Sequence, residues 1–246
     1  MKQSLLGVDN VTVVADGHSV LKHISFTAER GETLAFIGPN GSGKTMLFRA
    51  LLSLVPYTGS ITWKDGVRVG YVPQTLSVDR SFPLTVREFF ACKHVQDDTI
   101  IGLLEMVGIG GDHQDPEHRE RHLRGHVMDQ RIGTLSGGQF QRMMVAWTLA
   151  DDPDVLLFDE PTSGIDIGGQ ESIYALLEHV KRDRNLTLLL ISHDLDVVSQ
   201  YADTVLCVNV NLVCHGAPST ALNPSTLKKL YGESIAFPEH TTVHEH

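Results

Sequence analysis

Residues Gly38-Pro39-Asn40-Gly41-Ser42-Gly43-Lys44-Thr45 fit the pattern G-x-x-x-x-G-K-[ST] at every fixed position. The apolar run Thr33 to Ile37 before them reads as a buried strand, and Met46 to Leu52 after them carries helical spacing. A strand, a glycine-rich turn and a helix in that order confine the chain to a few α/β layouts. The turn's chemistry is equally narrow. Glycines let consecutive backbone N–H groups curl around an anion, the following helix N-terminus adds positive dipole, and Lys44 adds a point charge. Thr45 can offer its hydroxyl to Mg²⁺. The segment is therefore read as the phosphate cradle of a nucleoside triphosphate site.

A second polar, glycine-rich stretch, Leu135-Ser136-Gly137-Gly138-Gln139, leads into the helical run Phe140 to Leu149 and reads as another anion-binding helix start. Alone it would be a loop. Here it precedes Val155-Leu156-Leu157-Phe158-Asp159-Glu160, a buried-strand pattern ending in adjacent carboxylates. A phosphoryl-transfer site needs a Mg²⁺ ligand and a water-polarising base at such a strand end.

At these residues the chain resembles the ATP-binding cassette (ABC) family, and the resemblance covers nearly the whole length. Gly38 to Thr45 is similar to the Walker A loop, Gln74 in Tyr71-Val72-Pro73-Gln74 to the Q-loop glutamine, and Leu135 to Gln139 to the family signature. Asp159 and Glu160 resemble the Walker B pair, Ser163 to Asp166 the D-loop, and His193 in Ile191-Ser192-His193-Asp194 the switch histidine. The resemblance implies ATP and Mg²⁺ as ligands, with the metal held by Thr45, Gln74 and Asp159. Glu160, His193 and Gln74 then serve the hydrolytic step. Ser136, Gly137, Gly138 and Gln139 would reach the nucleotide of a second subunit in a head-to-tail pair. Taken singly, His193 would read as a structural histidine and Gln74 as a surface residue.

A chain of 246 residues is long enough for one α/β domain with insertions. The fold expected is a P-loop NTPase core with an N-terminal antiparallel β layer and an inserted helical subdomain. The cassette is assigned to residues 4–230 and the insertion to about 76–150, leaving a His-containing acidic tail at 231–246. The β layer is read from alternation in Val11-Thr12-Val13 and Ile24 to Thr27 about the turn Asp16-Gly17. Helical spacing follows in Val86 to Phe90 and Ile100 to Val107. Strand–helix alternation returns through Val155 to Phe158, Ser172 to Lys181 and Thr187 to Ile191. With no second cassette or internal repeat, the partner subunit is most simply another copy.

No apolar stretch approaches the roughly 18 residues of a membrane span, and the start lacks the apolar region of an export signal. The expected place is the cytoplasmic face of the cell membrane, as a peripheral subunit beside an integral permease. A net charge of −10 without a basic cluster argues against a nucleic-acid groove. Cys92, Cys207 and Cys214 are odd in number and lack C-x-x-C spacing, so reduced, mostly buried thiols are expected rather than a disulfide framework or a closed zinc site.

The stretches Val78 to Val86 and Leu206 to Gly216 look like those of ATPase subunits from zinc/manganese-type metal importers. That resemblance implies import of a divalent cation, with an extracytoplasmic metal-binding protein as an indirect partner. An ATPase of a chelated-iron importer and a soluble ABC ATPase of iron–sulfur assembly are the alternatives. Where the family commonly stacks an aromatic on adenine, this chain offers Ala15; where its signature helix often has arginine, Trp147 stands, and packing is the plainer role for it.

Histidines crowd two polar segments. His118, His122 and His126, with His113 nearby, would share one helical face and could hold Zn²⁺ or Ni²⁺ weakly. His240, His244 and His246 lie in the tail. A solvated insertion and a frayed tail are the simpler readings of both.

Overall fold

The computed structural model describes residues 3–74, 82–110, 115–160 and 167–232, with 167–172 described by backbone alone. The D-loop at 163–166, His113 and the tail histidines lie outside the described residues. Two sheets stack about the glycine-rich turn at 38–45. The first is antiparallel, ordered β2–β1–β4, from β1 (Ser4–Ala15), β2 (His18–Glu29) and β4 (Thr58–Trp63). The second is ordered β5–β6–β7–β3–β8–β9, from β3 (Thr33–Ile37), β5 (Val69–Val72), β6 (Val155–Asp159), β7 (Thr187–Ile191), β8 (Thr204–Asn209) and β9 (Asn211–Gly216). Its pairings are parallel except β8–β9.

Every residue of β3, β6 and β7 is buried, which explains their nearly unbroken apolar sequences: helices or a second sheet cover both faces. The two-residue period assigns each side chain to a face. Leu34, Phe36, Val155, Leu157, Leu189 and Ile191 pack toward the antiparallel sheet. Leu156, Phe158, Leu188 and Leu190 pack toward the helices on the other side. Phe36 is wedged edge-on between Phe26 of β2 and Phe48 of α1 (Lys44–Leu51), with ring centres 5.4 and 5.5 Å away. One aromatic row thus fixes the two sheets and the helix that frame the turn. Phe36→Ala should cost about 3–5 kcal/mol.

Between β5 and β6 run α2 (Val86–Ala91), α3 (Asp97–Met106), α4 (Pro116–His122), a π-helical turn at Leu123–Val127, a 3₁₀ turn at Ile132–Thr134 and α5 (Gly137–Leu149). They share a core of Phe90, Leu104, Leu123, Met128 and Met143. Trp147 packs here as expected, its ring 5.1 Å from Phe89 with the Lys93 ammonium 3.6 Å above it. The remaining helices are α6 (Ile167–Arg184), α7 (Leu195–Tyr201), α8 (Pro218–Ala221) and α9 (Pro224–Tyr231). Among the described residues no helix is long and apolar enough to cross a membrane.

The cysteine expectation is overturned. Cys207 of β8 and Cys214 of β9 stand directly opposite in the antiparallel register, with Cα atoms 4.8 Å apart, and form a disulfide; Cys92 is free and exposed. Counting cysteines and looking for C-x-x-C cannot detect a pair that a hairpin brings face to face across seven residues of sequence. Among the described residues no three His, Cys, Asp or Glu side chains are grouped to hold an ion. His118 and His122 lie on α4 and His126 in the π turn that follows, and the His122 and His126 rings still approach to 5.2 Å across that change of helix type.

Candidate functional site

Each chemical group predicted at the cradle rides on the carboxyl end of a parallel strand or the turn after it. β3 delivers Gly38 to Thr45, β6 delivers Asp159 and Glu160, and β5 leads to Gln74. Ligands bind at such strand ends in α/β sheets, where loops converge and helix N-termini point inward. A cavity of about 370 Å³ opens there, lined by Val20, Met46, Gln74, Glu160 and residues 40–45 of the turn.

The turn needs glycine at two places. A Cβ on Gly38, at φ 154°, would lie 2.0 Å from the Val208 carbonyl oxygen, and one on Gly43, at φ 101°, would lie 2.6 Å from Leu21. Gly43 begins α1 in the left-handed region with no side chain capping the helix, so the first-turn N–H groups face the cavity end unsatisfied by a cap. The Ser42 hydroxyl is buried without a hydrogen-bond partner. An uncapped helix start beside an orphaned buried hydroxyl is the donor set that suits a phosphate.

Lys44 is buried, and its ammonium donates to the Gly38 carbonyl at 2.8 Å and the Pro39 carbonyl at 3.0 Å. Burial pulls its pKa below the ordinary lysine value, against the opposing pull of Glu160 and Asp159. Asp159 is buried as well. Thr45 Oγ1 donates to its Oδ1 at 3.3 Å and the Tyr71 hydroxyl to its Oδ2 at 3.4 Å, both long for hydroxyl–carboxylate bonds. Desolvation pushes the Asp159 carboxyl above the usual carboxylate range, helped by the adjacent Glu160 charge, and burial next to Asp159 pushes the Tyr71 phenol up to about 12.

Glu160 sits at φ 44°, a left-handed backbone rare outside glycine, held by its N–H donating to the Ile191 carbonyl at 3.1 Å. Such a conformation costs of order 1 kcal/mol and persists where surrounding structure imposes it. It turns the carboxylate into the cavity, where the Gln74 amide donates to it. Strand pairing aligns Asp159 with Ile191, so His193 follows on the neighbouring strand end, exposed and outside the residues lining the cavity.

Ser136 and Gln139 form a reciprocal capping box at the start of α5. The Ser136 N–H donates to Gln139 Oε1 at 3.0 Å, and the Gln139 N–H donates to Ser136 Oγ at 3.2 Å. Ser136 and Gly137 are exposed, and none of residues 136–139 lines the cavity. Tyr71 was not singled out from sequence. Only the parallel register, which sets it opposite Leu157 two residues before Asp159, brings it to the carboxylate.

Fold and site together define a nucleoside-triphosphate-binding α/β cassette. A model of the ABC transporter family matches residues 21–163. A probable metal transport system ATP-binding protein of Thermotoga maritima is 36% identical over 92% of this chain and 90% of its own length. A zinc import ATP-binding protein ZnuC of Yersinia enterocolitica is 35% identical over 99% of this chain and 93% of its own. Among solved structures, cbiO1 of Clostridium perfringens, part of the ABC transporter complex cbiONQ, superposes with a TM-score of 0.73 at 25% identity, covering 93% of this chain and 94% of that one. The chain belongs to the ABC transporter family, as its ATP-hydrolysing cassette.

Proposed function

We propose that this cassette binds Mg-ATP in the Gly38–Thr45 cavity and that its hydrolysis powers import of a divalent metal cation through a separate integral membrane permease. The observation that carries the nucleotide half is the cavity itself, with an uncapped helix start, the buried Lys44 and the unpartnered Ser42 hydroxyl on one side and Glu160 opposite. Metal import is supported by relatives spanning nearly the whole chain whose names specify zinc import. They favour this reading over chelated-iron uptake or iron–sulfur assembly.

Residues 38–45 hold the β- and γ-phosphates through backbone N–H groups and the Lys44 ammonium, which exchanges its two carbonyl partners for phosphate oxygens. The charges of Asp159 and Glu160 both act on the one buried lysine of this site, and a divalent cation relieves the excess of negative charge once an anion joins them. Thr45 and Asp159 offer the hard oxygen donors such an ion takes, and Gln74 stands at the same rim. Mg²⁺ held there would neutralise charge developing on the phosphoryl oxygens.

Glu160 accepts a hydrogen bond from the attacking water and polarises it, while Gln74 steadies the carboxylate. His193 reaches the γ-phosphate from the neighbouring strand end. Ser136, with the amides of Gly137 and Gly138 and the supporting Gln139, closes the charge clamp from a second copy of the chain. Closure of the pair is then required for turnover, and loss of the γ-phosphate releases it. The cassette works as a peripheral subunit on the cytoplasmic face of the membrane, and an extracytoplasmic metal-binding protein feeds the permease.

The test is Zn²⁺ uptake by membrane vesicles carrying this chain together with a multi-span permease that co-purifies with it. ATP-dependent accumulation, lost with Glu160→Gln, is expected. Uptake of a ferric chelate but not Zn²⁺, or recovery of the chain with no membrane partner, would contradict the assignment.

A further inference from the structure

The hairpin that carries the Cys207–Cys214 disulfide braces the phosphate cradle from behind. Its tip residue, Val210, donates its N–H to the Ser42 carbonyl at 3.2 Å and accepts from the Lys22 N–H at 2.7 Å. Two residues earlier, the Val208 carbonyl is packed so closely on Gly38 that no Cβ would fit between them. Gly38 and Ser42 of the cradle therefore lean on the six residues that the disulfide encloses. Val210 itself has φ 61°, a left-handed backbone that a β-branched residue adopts only under constraint. The clamp that holds this tip is thus partly covalent. Cys207 is fully buried and Cys214 half-buried, so a small thiol reaches the bridge from the β9 side.

Resting on the reading of Gly38–Thr45 as the nucleotide site, we propose that Cys207 and Cys214 form a thiol–disulfide switch that sets how firmly this cradle holds nucleotide. In the reducing direction a dithiol's first thiolate attacks Cys214 Sγ, breaking the bridge and leaving Cys207 as a thiolate that takes up a proton. The dithiol's second thiolate then closes its own disulfide, expelling Cys214 Sγ, which is protonated in turn. Two electrons pass from the dithiol to the protein. The reverse direction requires a small-molecule disulfide such as oxidised glutathione. With the bridge open, Val210 relaxes out of the left-handed region, its hydrogen bond to Ser42 weakens, and the cradle loses its backing.

The full chain is titrated with ATP by calorimetry after treatment with oxidised glutathione or with dithiothreitol, the state of each sample fixed by thiol counting. The reduced form should bind about three- to tenfold more weakly, as expected for a hydrogen bond worth about 1 kcal/mol. Cys92→Ser should keep this response, and Cys207→Ala with Cys214→Ala should abolish it. In parallel, the Val210 amide should exchange with solvent faster in the reduced protein. Equal affinity in both states, with Val210 exchange unchanged, overturns the switch while leaving the nucleotide site intact. Failure of the oxidised protein to bind ATP at all overturns the nucleotide reading instead, and the Val210 exchange rate alone then decides whether the bridge governs the hairpin. If the double variant does not fold, the parent's two redox states still give both readouts.

Discussion

The glycine-rich helix starts of α1 and α5 are built in opposite ways. At α1 the residue before the helix, Gly43, is left-handed and no side chain caps the first turn. At α5 the preceding residue, Ser136, is extended and shares a complete capping box with Gln139. The first start lies on the cavity beside a buried lysine, whereas the second is exposed and lines no part of it. An uncapped N-terminus keeps its first-turn N–H groups open to an anion. A capped one has its own side-chain partners and is satisfied without a ligand.

The largest effect separates chemistry from binding at the first start. Glu160→Gln should lower turnover by about 10²- to 10⁴-fold, the range for a missing proton acceptor, while ATP affinity measured by calorimetry stays within about twofold. Steady-state hydrolysis near the parent rate would remove Glu160 from the mechanism. Next in size, Lys44→Ala should weaken ATP binding about ten- to a hundredfold, as expected for losing charge-assisted hydrogen bonds of about 1.5–3 kcal/mol. Unchanged affinity would mean that the ammonium keeps its partners Gly38 and Pro39 when nucleotide is present.

The second start should respond differently. Ser136→Ala removes a helix cap and should cost about 1 kcal/mol in denaturant unfolding with no change in ATP affinity of the single subunit. The smallest effect is at Asp159, whose raised pKa marks a carboxylate more costly to ionise in the folded protein than in the unfolded chain. Stability carried by the protonated group is complete below the ordinary carboxylate pKa and is lost as pH rises through the folded value. Asp159→Asn should therefore raise the melting temperature of the nucleotide-free protein at pH 7 by a few degrees at most, and this gain should fade in acid. A gain that persists at low pH would tie it to packing instead.

The cradle was legible because its requirements are local. Glycines, a lysine and a threonine stand at fixed spacing between an apolar strand and a helix, and β6 and β7 announce themselves by unbroken burial. What escaped depends on pairing across the sheet. Nothing in the run Tyr71-Val72-Pro73-Gln74 says that Tyr71 bonds to Asp159 rather than to solvent, because β5 reaches β6 only through the long insertion. Cys207 and Cys214 meet through hairpin register, which a composition argument cannot supply. The histidine row crosses from α4 into a π turn at Leu123–Val127, a change of helix type that residue spacing alone does not announce.

The claim that the two starts act on one nucleotide across two subunits is tested most directly by sedimentation of Glu160→Gln with and without saturating Mg-ATP. The account predicts a single-subunit species without ATP and a two-subunit species with it. Adding Ser136→Arg should restore the single-subunit species while calorimetric ATP affinity of the subunit is unchanged. A two-subunit species that forms despite Ser136→Arg, or ATP affinity that falls along with it, would contradict the account.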